Sequence, residues 1–158
     1  MCATPGNLHY HEAGHAVLAH VLGAGVSSVH VNIASNDGIT EFCQEPATVH
    51  DAILIRMAGE VAESIFCSTD DESAVCRAAA DRGVISMLLA QECDWDTATY
   101  GTPPSEVANQ IEELSALCEG DTQRLLQANS TRVHAVASAL AETGQLNHAG
   151  FLAAVGDG

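Results

Sequence analysis

Apolar positions along the chain recur at intervals that change from helical to alternating and back. Leu8, Ala16, Val17, Ala19 and Val21 recur through residues 7–22, and Gly23-Ala24-Gly25 follows them, which predicts a first helix with a clear stop. Residues 27–33 alternate and are β-branched, so they read as a strand. Asp37-Gly38 is a turn signal, and Ile39–Cys43 can return as the second strand of a hairpin. After a loop over 44–49 containing Pro46, residues 50–66 carry Ile53, Leu54, Met57, Val61 and Ile65 on one helical side, with Gly59 permitting a close approach. Thr69 and Glu72 have the spacing of a capping box, opening a third helix from about Asp70 to Gln91. Residues 94–104 read as a loop. Ser105 is expected to cap a long helical stretch to about Thr143, interrupted at Gly120, and a short helix is expected near residues 147–155. The fold class is therefore mainly α with a small β-hairpin, in a single domain over 1–158.

Composition narrows the functional classes. The 158 residues suit one domain, and 47% hydrophobic content with only 4% aromatics suggests closely packed helices. Five Lys plus Arg against 21 Asp plus Glu leave a formal charge of −16, which argues against binding nucleic acid or anionic membrane surfaces. No run of about 18 apolar residues is present, so no membrane span is expected. The first residues lack the basic and apolar regions of a signal peptide, which sets a cytoplasmic expectation. Cys2, Cys43, Cys67, Cys76, Cys93 and Cys118 form no C-x-x-C pair and are expected to be reduced thiols.

The chemistry lies in His11-Glu12-Ala13-Gly14-His15, an H-E-x-x-H segment within the first helix. Residues i and i+4 share a helical face, so His11 and His15 can direct ring nitrogens at one Zn²⁺. Glu12 can reach a metal-associated water and serve as its general base. Two solvated histidines on a surface helix would be the bland reading. The almost wholly apolar run Ala16–Leu22 argues against it by placing the helix in the core.

A catalytic zinc site needs a third protein ligand. The metzincin pattern would place Gly and His where Leu18 and Val21 stand, so it fails. His20 points to another side of the helix. In the third helix, Asp81 falls within the apolar face of Ala74, Ala78, Ile85 and Leu88, where a carboxylate needs a partner. That argument selects Asp81 as the ligand, with an ion pair to Arg56 as the alternative. Asp70 is the next choice, set against ordinary helix-start acidity; Glu60, Glu63 and Asp71 remain.

Tyr10-His11-Glu12-Ala13-Gly14-His15-Ala16 resembles the zinc segment of FtsH-type ATP-dependent metallopeptidases. Ala58-Gly59-Glu60-Val61-Ala62-Glu63 is similar to that family's Gly-Gly-Arg-x-Ala-Glu-Glu helix. Residues 106–112, 124–126 and 137–140 resemble its closing helices. The resemblance implies an FtsH-like zincin peptidase fold, zinc, two His plus one Asp as ligands, and a peptide or unfolded protein segment as substrate. It also leaves room for a homo-oligomer. The family's Gly-Ala-Ser-Asn-Asp context is absent, and aligning Ala74 and Ala78 with its alanines selects Asp70 instead of Asp81. No Gly-Lys-Ser/Thr phosphate loop occurs, so the chain by itself is not expected to couple ATP hydrolysis to unfolding.

The leading expectation is a zinc-dependent endopeptidase using Glu12 as base. A noncatalytic binding or regulatory module with the same fold is the alternative. His9, on the opposite side of the helix from His11, is expected to be solvated, and His30, His50, His134 and His148 to lie at the surface. Trp95 and Tyr100 are expected to plug the core, with lining of a substrate cleft as the alternative. The 27–43 hairpin can offer an edge strand to an extended peptide.

Overall fold

A helix buried on nearly every side has no polar face to show solvent, and α1 (Asn7–Val21) is of this kind: Leu8, His9 and every residue from His11 to Ala19 are buried. The computed structural model describes residues 3–68 and 74–157, the side chains of 74–76 excepted. Around α1 pack α2 (Val49–Phe66), α6 (Ser130–Thr143) and the strands β1 (Val26–Asn32) and β2 (Asp37–Phe42). The approach of α1 to α2 depends on Gly14, where a Cβ would lie 2.4 Å from the Ala58 carbonyl oxygen and 2.7 Å from the Ala62 Cβ. The two backbones are therefore almost in contact at that crossing. Leu18, Ile53, Ile55, Leu126, Leu140 and Phe151 are the largest side chains fully enclosed by this packing.

The sheet has three strands rather than the two of the expected hairpin, in the order β2-β1-β3, with both pairs antiparallel. The third, β3 (Gln145–Asn147), is a three-residue segment too short to show alternation in the sequence. It follows Gly144, which closes α6 at φ 72°. Asp37 and Gly38 do not form the turn. They pair with Asn32 and Val31, and the backbone reverses over 33–36 instead. Asn36 takes the left-handed conformation at φ 51°, and the Asn32 side chain accepts hydrogen bonds from the amides of Ala34 and Ser35. Local side-chain bonding thus moved the turn by a few residues.

The described third helix, α3, spans Ala74–Glu92. Thr69, Asp70, Asp71 and Glu72, including the expected capping box, lie outside the described residues. The expected loop over 94–104 contains a short helix, α4 (Thr97–Tyr100), capped by the Asp96 carboxylate on the Ala98 amide. Trp95 and Tyr100 do not plug the core and do not line the cleft described below. Their rings meet 5.4 Å apart at the surface, and Tyr100 is 66% exposed. The long helical stretch breaks at Asn129, between α5 (Ser105–Ala128) and α6, and Gly120 stays helical. Asn129 ends α5 by donating its side-chain amide to the Leu125 carbonyl, while Pro104 rather than Ser105 occupies the N-cap. The last helix, α7 (His148–Val155), begins at an Asn147 cap. No disulfide joins the described cysteines, and Cys118 is a buried thiol. Among the described residues no helix is long and apolar enough to cross a membrane.

Candidate metal centre

Three helices converge on one point. α1 supplies His11 and His15 on a single face, and α3 brings Asp81 against them. The two Nε2 atoms are 3.1 Å apart, and Asp81 Oδ2 lies 3.3 Å from that of His11 and 3.2 Å from that of His15. α2 forms the floor with Ile55, Gly59 and Glu63, one residue per helical turn. A Cβ at Gly59 would lie 2.5 Å from His15 Nε2 and 2.6 Å from His11 Nε2, so only glycine leaves room for both rings.

The far ring nitrogens determine what the near ones can do. His11 Nδ1 donates to Glu63 Oε1 at 2.7 Å, and His15 Nδ1 donates to the Ile55 carbonyl at 2.7 Å. Both acceptors are oxygens without hydrogens, so each Nδ1 carries a proton, and a ring that holds no second proton turns a bare Nε2 toward Asp81. Two lone pairs and a carboxylate facing one another at these distances repel unless a cation lies between them. Ligand atoms held about 2.0–2.2 Å from a tetrahedral zinc lie about 3.3–3.5 Å from one another, close to the separations here. The donor set, two imidazoles and one carboxylate, suits zinc chemistry, and the residues fit such an ion.

Without a metal, a proton is the available cation. Burial pulls the His11 pKa down, but hydrogen bonds to Asp81 and Glu63 and the nearby negative charges raise it to about 9. Burial acts to raise the Asp81 pKa, and the hydrogen bonds from His11 and His15 outweigh it, holding the carboxyl well below the usual range. Glu63 is lowered in the same way: burial opposes the shift, and His11 and Arg77 impose it.

The sequence left Glu63 among the remaining ligand candidates and gave Arg77 no role; in the structure Glu63 stands behind His11, on its Nδ1, and not with His11, His15 and Asp81 in the donor group. The Arg77 guanidinium grips both Glu63 oxygens and donates to Asn36 Oδ1 at 2.8 Å, linking the hairpin turn to the far side of His11. The available signal was the spacing Ile55, Gly59, Glu63, which puts a carboxylate on the glycine face that receives the histidines.

Glu12 is buried at the wall of the same cleft. Its Oε2 accepts a hydrogen bond from the Thr40 hydroxyl at 2.7 Å, and a Cβ at Gly38 would lie 2.6 Å from its carboxyl. The cleft has a volume of about 400 Å³, with β2 along one side and α2 and α3 along the other. Among the described residues β2 pairs only with β1, so its cleft-side edge has no strand partner.

The remaining sequence candidates fall elsewhere. Asp81 also makes the Arg56 ion pair that the sequence offered as the alternative to metal ligation: Oδ2 faces the histidines, and Oδ1 accepts from Arg56 Nη1 at 3.3 Å. Glu60 pairs with Arg82 outside the cleft. Asp70 and Asp71 lie outside the described residues. His9 is buried rather than solvated, because its Nδ1 accepts the Gly6 amide at the start of α1. His20 binds Asp157 at the C-terminal end. His30, His134 and His148 are exposed, and His50 is half-buried beside Cys118 and Asp121. No protein-family model matches this sequence, and no curated protein matches it.

Proposed function

We propose that the protein is a zinc-dependent endopeptidase with an FtsH-like zincin fold. The observation that carries this reading is that His11, His15 and Asp81 face one another at 3.1–3.3 Å in the same cleft as Glu12. The resemblance of residues 10–16 to the FtsH-type zinc segment supports it. A zinc ion held there would polarise a carbonyl oxygen and lower the pKa of a water. His11 and His15 would bind through Nε2 and Asp81 through Oδ2, with Glu63 and the Ile55 carbonyl holding the rings in orientation.

Glu12 is the base. Its carboxylate, steadied by Thr40, takes a proton from the water whose oxygen attacks the scissile carbonyl carbon. As the C–N bond breaks, the same proton passes to the leaving nitrogen, so one water is consumed and two peptide products are released. The open edge of β2 can hold an extended substrate by main-chain hydrogen bonds.

Replacing Glu12 by Gln tests the proposal and separates it from a noncatalytic metal-binding module. Glu12→Gln should retain zinc and the wild-type melting temperature and lose about 10²–10⁴-fold in cleavage of casein or a quenched peptide. Equal turnover by the two proteins would remove Glu12 from the chemistry. Zinc binding by a wild type that cleaves nothing would favour the module.

A further inference from the structure

The sequence has no lysine, and its five basic residues are all arginines. Four of them have carboxylates outside the proposed donor set: Arg77 with Glu63, Arg82 with Glu60, Arg124 with Asp121 and Arg132 with Asp157. Arg56 is the exception. Among the described residues its carboxylate partner is Asp81, the residue that also faces His11 and His15. The contact is loose, 3.3 Å where a charge-assisted hydrogen bond is about 2.7–2.9 Å. The Arg56 side chain is 44% exposed and lines the cleft, so most of its N–H donors are open to a ligand.

If a divalent cation takes up the Asp81 charge, Arg56 is left as a cation without a counter-ion of its own. It stands one carboxylate's width from the reacting centre. A guanidinium presents paired N–H groups that match a carboxylate, and the cleft partly shields such a pair from solvent. The neighbouring cleft carboxylates are committed or displaced: Glu12 is held by Thr40, and Asp37 lies on the hairpin side. The overall charge of −16 does not cancel a contact at hydrogen-bond range, because salt screens the distant exposed charges within about 8 Å.

We infer that Arg56 recognises a substrate carboxylate, selecting peptides that carry one within one residue of the scissile bond, as an acidic side chain or as the free α-carboxylate of the peptide. This rests on the peptidase reading and deepens it by naming a substrate class; an acidic side chain keeps the cleavage endopeptidic, whereas recognition of the free α-carboxylate would make it exopeptidic.

The test begins with binding. Zinc-loaded full-length protein is titrated calorimetrically with succinyl monohydroxamate, which has a free carboxylate, and with the matching carboxamide. The carboxylate compound should bind about tenfold tighter or better. Arg56→Gln should bring the two to equal affinity with its zinc content unchanged, and Arg56→Lys should restore part of the difference. Equal affinities in the wild type would overturn the inference and leave the metal site standing. Loss of zinc from Arg56→Gln would also overturn it, because the residue would then act through Asp81. Failure of both compounds to bind a zinc-loaded protein would overturn the peptidase reading together with the inference.

Cleavage then distinguishes the two sources of carboxylate. Matched peptides with Glu or Gln beside the scissile bond are compared, each with a free or amidated C-terminus. A preference for Glu that survives amidation assigns the acidic side chain, and a preference that amidation abolishes assigns the C-terminus. No preference, or one retained in Arg56→Gln, overturns the inference.

Discussion

His11 Nδ1 lies 2.7 Å from Glu63 Oε1, and both residues are almost wholly buried. The bond sets the tautomer of His11 and so decides which of its nitrogens can bind a metal. Glu63 is itself gripped by Arg77, whose side chain is only 4% exposed. A candidate ligand, the carboxylate that orients it and that carboxylate's cation therefore form one buried series.

Glu63→Gln should weaken zinc binding about 10–100-fold, the usual effect of losing the carboxylate behind a ligating histidine. It also removes the buried charge that Arg77 grips, so the chelated protein should melt at a lower temperature. A competitive chelator titration measures the first effect and a thermal scan the second. Unchanged zinc affinity would reduce Glu63 to a structural partner of Arg77.

In an ordinary helix, Gly→Ala is stabilising by about 1 kcal/mol. Gly59→Ala should do the reverse, because the new methyl would sit 2.5–2.6 Å from both Nε2 atoms and push the rings apart. The expected result is a zinc content well below one per protein molecule. Gly83→Ala, where nothing lies within 4 Å of the new Cβ, is the control and should retain full zinc.

Asp81→Asn should lose most of the bound zinc and activity, since Oδ2 of Asp81 faces both histidines. Asp70→Asn, the other choice the sequence offers, should retain its zinc. Metal analysis of both purified variants decides between them. Zinc lost from Asp70→Asn and retained by Asp81→Asn would favour the alignment with the FtsH-type pattern.

Acidity should act with opposite sign on the chelated and zinc-loaded proteins. In the chelated protein the His11 pKa is raised to about 9: burial lowers it, and hydrogen bonds to Asp81 and Glu63 more than compensate. That stabilisation is fully present below the unfolded value near 6.5 and is lost as pH rises through about 9. In the zinc-loaded protein the metal keeps Nε2 unprotonated, so stability should rise as pH passes the unfolded value near 6.5 and stay level above it. Melting temperatures from pH 6 to 10 should therefore fall with rising pH in the chelated protein and not in the zinc-loaded one. Parallel slopes would contradict the assignment of His11 to the metal.

Local spacing by itself determined what lies within one element. Positions 11, 12 and 15 share a helical turn, so a histidine pair with an adjacent carboxylate follows from the helical period once the apolar run makes the helix. The principal helices and the first two strands were legible for the same reason. Competing local bonds blurred the boundaries: Asn32 and Asn36 moved the hairpin turn, and Asn129 rather than Gly120 broke the long helix. Contacts between elements were decided only by tertiary structure. Seventy residues of sequence separate His11 from Asp81, and helical periodicity cannot set the depth and rotation at which α3 meets α1. Those depend on how closely Gly14 and Gly59 let α1 and α2 approach, which also turned Glu63 from one of several acidic candidates into the partner of His11. The exposed edge of β2 and the addition of β3 to the opposite side of the sheet are likewise consequences of packing, because pairing between distant segments leaves no period in the sequence.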